Sequence, residues 1–341
     1  MQQYQGWADE RFGAVADVFA RNFAEFPELG AAVTVYAGGR KVVELWGGTA
    51  DERTGRAWTQ DTLVPVFSCA KGPVSISAHL LAQQGRLDLD APIARYWPEF
   101  ARHGKQEITT RMILGHRAGI PALDAELSFE EIAAWTPVVR AIEAQQPLWE
   151  PGTSYEYHGH VLGFAVGEVI RRITGLTPGA FLRKEIAEPL GGLPVWIGLP
   201  ESELPCVARL VEADGRRQMP GPEHLLTRIV TMNGALVFPG LDVPYGWNDP
   251  ALHAIELPGA GAVASATGLA GLTGPGRLAP PALARHGDRR GARSLRRCGL
   301  PGLRHGCPLG LRRAARLPRL PPAARRAQLR QRRRGRPVRL R

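Results

Sequence analysis

Ser68 and Lys71 stand three residues apart in "VFSCAKGPVSIS", at the start of a stretch that reads as a helix. Side chains at i and i+3 share a helix face, so the serine Oγ and the lysine amine can meet. A serine hydroxyl becomes a useful nucleophile only when a nearby base takes its proton. A lysine can be that base once burial or neighbouring positive charge lowers its pKa. A helix N-terminus adds unpaired N–H groups for a developing oxyanion. The chemistry would be acyl transfer through a serine ester. A helix cap beside a solvated lysine explains a bare S-x-x-K equally well, so the pair needs company.

Tyr157 supplies a third group. It sits in "PGTSYEYHG", after a Pro-Gly turn and just before a helix, where a phenol can be aimed into a cleft. Beside an ammonium group and a helix N-terminus, such a phenol can serve as general base. A rim tyrosine with a satisfied hydroxyl is the plainer alternative. His158 and His160 form H-x-H, but no third ligand has suitable spacing, so neither metal nor cofactor is expected. Cys69 should point about 100° away from Ser68 around the helix, into the core. Gly163 and Gly167 mark close helix packing. No G-x-S-x-G is present, which argues against an α/β-hydrolase.

The elements that must position these groups are partly legible. An opening helix is expected from about Ala8 to Phe26. "AAVTVYAGGRKVVELWGGTA" reads as a β-hairpin turning at Gly38-Gly39. Helices follow after Ser68, over "ITTRMIL" up to Gly115, and from about His160 to Gly175. Residues 193–250 are irregular and rich in Pro and Gly.

The chain has 341 residues, of which 44% are hydrophobic, enough for a large core. No apolar run reaches the roughly 18 residues of a membrane span, so no membrane partner is expected. The opening residues lack the pattern of a secretory leader, and four cysteines show no pairing, so the expectation is a reducing, cytoplasmic setting. The net charge of +11 is unevenly spread. Residues 277–341 hold 21 Arg, no Lys and one acid, whereas residues 1–276 carry 22 basic and 31 acidic residues. The arginine-rich tail has no Phe, Trp, Tyr or Ile and cannot bury a core by itself. Its composition fits a GC-rich gene read one base out of frame better than an evolved nucleic-acid arm, which would mix Lys with Arg. Suitable codons for "AQLRQRRRGRPVRLR" shifted by one base would encode "RSFGSAGAGGPFGFA". The expected frame change lies between about Thr273 and Arg290.

The ordered motifs "FSCAK", "GRLDLDAPIARYWPEF", "MILGHRAGIPAL" and "WEPGTSYEYHGHVLGFAVGEVIRRITG" resemble the serine hydrolases related to class C β-lactamases, in their carboxylesterase branch. The likeness runs from about residue 8 to about residue 272. It implies an α+β, β-lactamase and DD-peptidase-like fold: an antiparallel sheet flanked by helices, plus a helical subdomain, with C-terminal strands missing. It implies a hydrolase domain over 1–272 and a separate segment over 273–341. By the same resemblance Ser68 is acylated, Lys71 assists and Tyr157 is general base, while Gly159 and His116 line the substrate cleft, His116 as a structural part of its wall. Gly159 stands where a Y-x-N asparagine would contact substrate, which favours esters over β-lactams. A third box, the K-T-G or H-x-G strand, is absent as written. The expected activity is hydrolysis of a small-molecule ester through an acyl-enzyme. The alternatives are amide hydrolysis of the β-lactamase or DD-peptidase type, a catalytically inactive truncated member, and a basic-tailed nucleic-acid binder.

Overall fold

The computed structural model describes residues 4–212, 219–238 and 240–273. The arginine-rich tail, and with it the expected loss of C-terminal strands, lies outside the described residues. The described residues group in one unit.

Strand β1 (Tyr4–Ala8) runs antiparallel to one side of β3 (Arg40–Asp51), and β2 (Gly30–Ala37) to the other; the two-residue β4 (Arg56–Ala57) also pairs with β3. The β2–β3 connection is the hairpin read from the sequence. Gly38 and Gly39 have φ of +55° and +76°, the double left-handed turn whose twist matches the flanking strands. The opening helix is shorter than expected. Helix α1 covers Gly13–Glu25, after β1 and a 3-10 turn at Glu10–Phe12. Residues 4–8 have no clean alternation to betray a strand; pairing with β3 decides their conformation.

A second, small sheet takes the order β5-β7-β6, from Val64–Pro65, Ala262–Ala264 and Val195–Ile197. It matters more to the site than its size suggests. Pro65 pairs with Val263 and the Val66 N–H donates to the Ala262 carbonyl at 2.9 Å. The chain leaving β5 therefore emerges beside the chain entering β7, although nearly 200 residues separate them.

Helices pack on these sheets and make the main core. They are α2 (Lys71–Gln83), α3 (Thr110–Leu114), α4 (Phe129–Ala133), α5 (Thr136–Ala144), α6 (Val161–Thr174), α7 (Pro178–Leu182), α8 (Leu225–Thr231), α9 (Pro250–Ala254) and α10 (Ala266–Thr273). Helix α6 is the hub. Every residue from Val161 to Ile170 is buried, on all sides of the helix, and the one carboxylate among them, Glu168, pairs with Arg171 and Arg172. It ends as read from the sequence, at Gly175 with φ +75°. Its two small residues do pack closely. A Cβ on Gly163 would stand 2.2 Å from the Gly259 nitrogen, and one on Gly167 would stand 2.8 Å from Pro178 and from Trp135. Helix α10 closes onto the hairpin, where Thr267 Oγ1 donates to the buried Glu44 at 2.8 Å.

Candidate active site

Ser68 lies in a 3-10 turn, Phe67–Ala70, which runs directly into α2 at Lys71. With three residues per turn, side chains at i and i+3 eclipse, so the 3-10 geometry brings Ser68 and Lys71 together more directly than an α-helix would. Phe67 enters this turn with φ +47°, a left-handed conformation rare for a bulky residue. Its ring packs 4.4 Å from that of Trp247 and edge-on to Phe238 at 6.2 Å. Strained backbone held by packing is a common mark of functional positions. Cys69 departs from the expectation that it would be buried: in this turn its side chain is exposed.

The three predicted groups converge. The Lys71 amine donates to the Tyr157 hydroxyl at 2.7 Å, to Ser68 Oγ at 3.3 Å and to the Gly259 carbonyl at 2.7 Å. Ser68 Oγ and the Tyr157 hydroxyl are themselves hydrogen-bonded, closing a triangle. Burial holds the Lys71 pKa below its ordinary value, against the opposing pull of the hydrogen bond and charge of Tyr157. Gly259 was not foreseen. Its carbonyl reaches Lys71 because the residues just before β7 lie beside the end of β5, and because Gly163 allows α6 to approach.

An apolar cavity of about 120 Å³ opens beside Ser68. Phe67, Val230, Phe238, Trp247 and Ala260 supply its apolar wall, and Ser68, Tyr157, Gly159 and His160 complete it. Phe238 and Trp247 escaped the sequence reading because they sit in the irregular 193–250 stretch, where no period marks a buried face. Gly159 lines the cavity, and its lack of a side chain is enforced. A Cβ there would stand 2.7 Å from Ile229 Cγ2 and 2.8 Å from the Ile229 carbonyl oxygen, so an asparagine could not enter without displacing α8.

His116 is not among the residues lining this cavity. It stands behind the tyrosine, with ring centroids 5.2 Å apart. The imidazoles of the H-x-H pair turn to main-chain carbonyls: His158 Nδ1 to Glu156 at 2.6 Å and His160 Nε2 to Val230 at 3.1 Å. Burial pushes both down to about 4, so they are neutral near pH 7. Among the described residues no group of three or more metal-capable side chains gathers. No helix among them is long and apolar enough to cross a membrane.

The Beta-lactamase family profile matches residues 19–336, across the site and into the arginine-rich tail. The esterase/beta-lactamase LipL of Mycobacterium tuberculosis is 31% identical over 303 residues, 87% of this chain and 68% of that protein. The crystal structure of a family VIII carboxylesterase superposes with a TM-score of 0.70 at 34% identity, covering 79% of this chain and 70% of that one. A penicillin-binding-protein homologue from Caulobacter crescentus superposes with the same TM-score and identity, over 82% and 75%.

Proposed function

The chain belongs to the beta-lactamase family, and from that premise we propose that it is a carboxylesterase whose acyl-enzyme forms on Ser68. The observation that carries this reading is the closed triangle of Ser68, Lys71 and Tyr157 at the mouth of an apolar cavity.

Ser68 Oγ attacks the ester carbonyl carbon while its proton passes to the Tyr157 oxygen. In the same step the phenol's own proton moves to the Lys71 amine hydrogen-bonded to it, so Tyr157 is neutral before and after the transfer and the proton ends on the lysine. The oxyanion of the tetrahedral intermediate forms against the Ser68 N–H, at the start of the turn leading into α2. As the carbonyl re-forms, the C–O bond to the alcohol breaks and the proton returns through Tyr157 to the leaving oxygen. Water then attacks the acyl-enzyme by the same relay in reverse roles, releasing the acid and restoring Ser68.

Esters are favoured over β-lactams by the crowding at Gly159, which leaves no room for a side-chain amide to hold an amide substrate. The carboxylesterase name of one similar structure supports the same choice, while LipL is named for both activities. The free thiols of Cys69 and Cys206 fit a reducing, cytoplasmic setting.

Initial rates with p-nitrophenyl butyrate and with nitrocefin, for the wild type and Ser68→Ala, test the proposal. Ester turnover should fall by about 10³-fold or more in the variant. Nitrocefin should be the poorer substrate. Undiminished ester turnover in Ser68→Ala would remove Ser68 from the mechanism, and a preference for nitrocefin would move the enzyme to amide hydrolysis.

A further inference from the structure

Tyr157 belongs to a loop, and a loop phenol must be held in place by something. The segment after α3 forms its bed. Gly119 accepts a main-chain hydrogen bond from Leu148 at 2.8 Å, and Arg117 accepts one from Gly152 at 2.9 Å. The Arg117 guanidinium also donates to the Gly152 carbonyl, and nearer Tyr157 one residue makes two further contacts. The His116 carbonyl accepts from the Glu156 N–H at 3.2 Å, and His116 Nδ1 accepts from the His158 N–H at 3.0 Å. The N–H of Tyr157 itself goes to the Glu156 carboxylate at 2.8 Å. His116 thus grips the residues immediately before and after the phenol while touching neither Ser68 nor the cavity.

It does so from a left-handed backbone, φ +58°, which His, Asn and Asp tolerate better than other side-chain-bearing residues. For Nδ1 to accept, the ring must be neutral with its proton on Nε2. Burial, and then the nearby Lys71 charge, hold it in that form by lowering its pKa.

We propose that His116 is the positioning residue of the Tyr157 phenol: its carbonyl and Nδ1 clamp the main chain on either side of Tyr157 and so set the phenol oxygen where Ser68 and Lys71 both reach it. This rests on the reading of Tyr157 as general base. Misplacing a reacting group by about 1 Å can cost on the order of 10²-fold in rate. The carbonyl contact survives any substitution at 116, whereas the ring contact does not, so the side chain can be tested separately.

The test is a double-mutant cycle on acylation by p-nitrophenyl butyrate, with His116→Ala, Tyr157→Phe and the pair. His116→Ala should lower kcat by roughly 10- to 100-fold with KM within about threefold of wild type. His116→Asn tolerates the left-handed backbone and carries an acceptor oxygen near the place of Nδ1. It should recover kcat to within about fivefold of wild type. On the Tyr157→Phe background, His116→Ala should cost nothing more, because the group it positions is gone. An equal loss on both backgrounds, or an unchanged kcat in His116→Ala, overturns the inference and leaves Tyr157 as base. Wild-type turnover in Tyr157→Phe overturns the general-base reading and this inference together. If the alanine chain does not fold, His116→Met, bulky but without that acceptor, replaces it in the cycle.

Discussion

The amine of Lys71 has three N–H donors when protonated, and three acceptors stand around it: Ser68, Tyr157 and Gly259. Burial lowers its pKa and outweighs the opposing pull of the Tyr157 hydrogen bond, so the amine gives up its proton more readily than a solvated lysine does. Lys71→Met keeps the stem and removes the head. It should lower kcat/KM for a short ester by about 10²- to 10³-fold. It should leave the melting temperature little changed, because relief of the desolvated amine offsets the partner that the Gly259 carbonyl loses. A melting temperature several degrees below wild type would mean that the lysine is structural. The Ser68–Lys71 pair was legible in the sequence because its geometry is local, three residues within one turn. Cys69, its neighbour, was misplaced because the turn is 3-10 and not α-helical, which changes the direction of every side chain between them.

At the scale of elements, the site is a meeting of two chain ends and one helix. Strand β5 delivers Ser68, β7 begins just after Gly259, and α6 presses against Gly259 at Gly163. That contact permits a sharp test. Gly163→Ala places a methyl 2.2 Å from the Gly259 nitrogen, and main chain cannot move aside as a flexible side chain would. The expected outcome is a destabilisation of about 1–3 kcal/mol by denaturant unfolding, and a fall in kcat as the Gly259 carbonyl shifts away from Lys71. An unchanged kcat in a destabilised variant would show that the Gly259 contact serves packing alone. G-x-x-x-G was readable as close packing, but what it packs against was not. Helical period marks a buried face; it does not name the partner, and here the partner is a loop almost 100 residues downstream.

The whole molecule carries neutral, buried histidines near its site, and this makes its stability depend on pH. His158 and His160 are held at about 4 by burial, against an ordinary value of 6.5. The folded state therefore binds fewer protons than the unfolded chain between those values. Their contribution is fully present above about pH 6.5 and is lost as pH falls towards 4, by up to about 1.4 kcal/mol per pH unit for each histidine. Glu256 works the other way: burial raises its pKa, so its contribution falls as pH rises. Chemical denaturation between pH 4 and 7 should show the histidine slope. His160→Gln should remove its own share, up to about 1.4 kcal/mol per pH unit, while His158, His116 and His253, also lowered by burial, keep theirs. A slope unaltered by His160→Gln would place the acid sensitivity elsewhere.

What the sequence determined by itself is what short spacing and composition can carry. Ser68 with Lys71, the tyrosine after a Pro-Gly turn, the Gly38-Gly39 hairpin and the Gly175 helix end all follow from neighbours within a few residues, where backbone geometry leaves few choices. The acidic body and arginine-rich tail follow from counting alone. Tertiary structure decided the rest. It brought the Gly259 carbonyl to Lys71, drew Phe238 and Trp247 to the cavity, forced residue 159 to be glycine, and set His116 against the main chain on either side of Tyr157. Those contacts join residues tens to nearly 200 positions apart. They exist because strands β5 and β7 pair and α6 is buried on all sides, and no local pattern in the chain specifies which distant segment meets which.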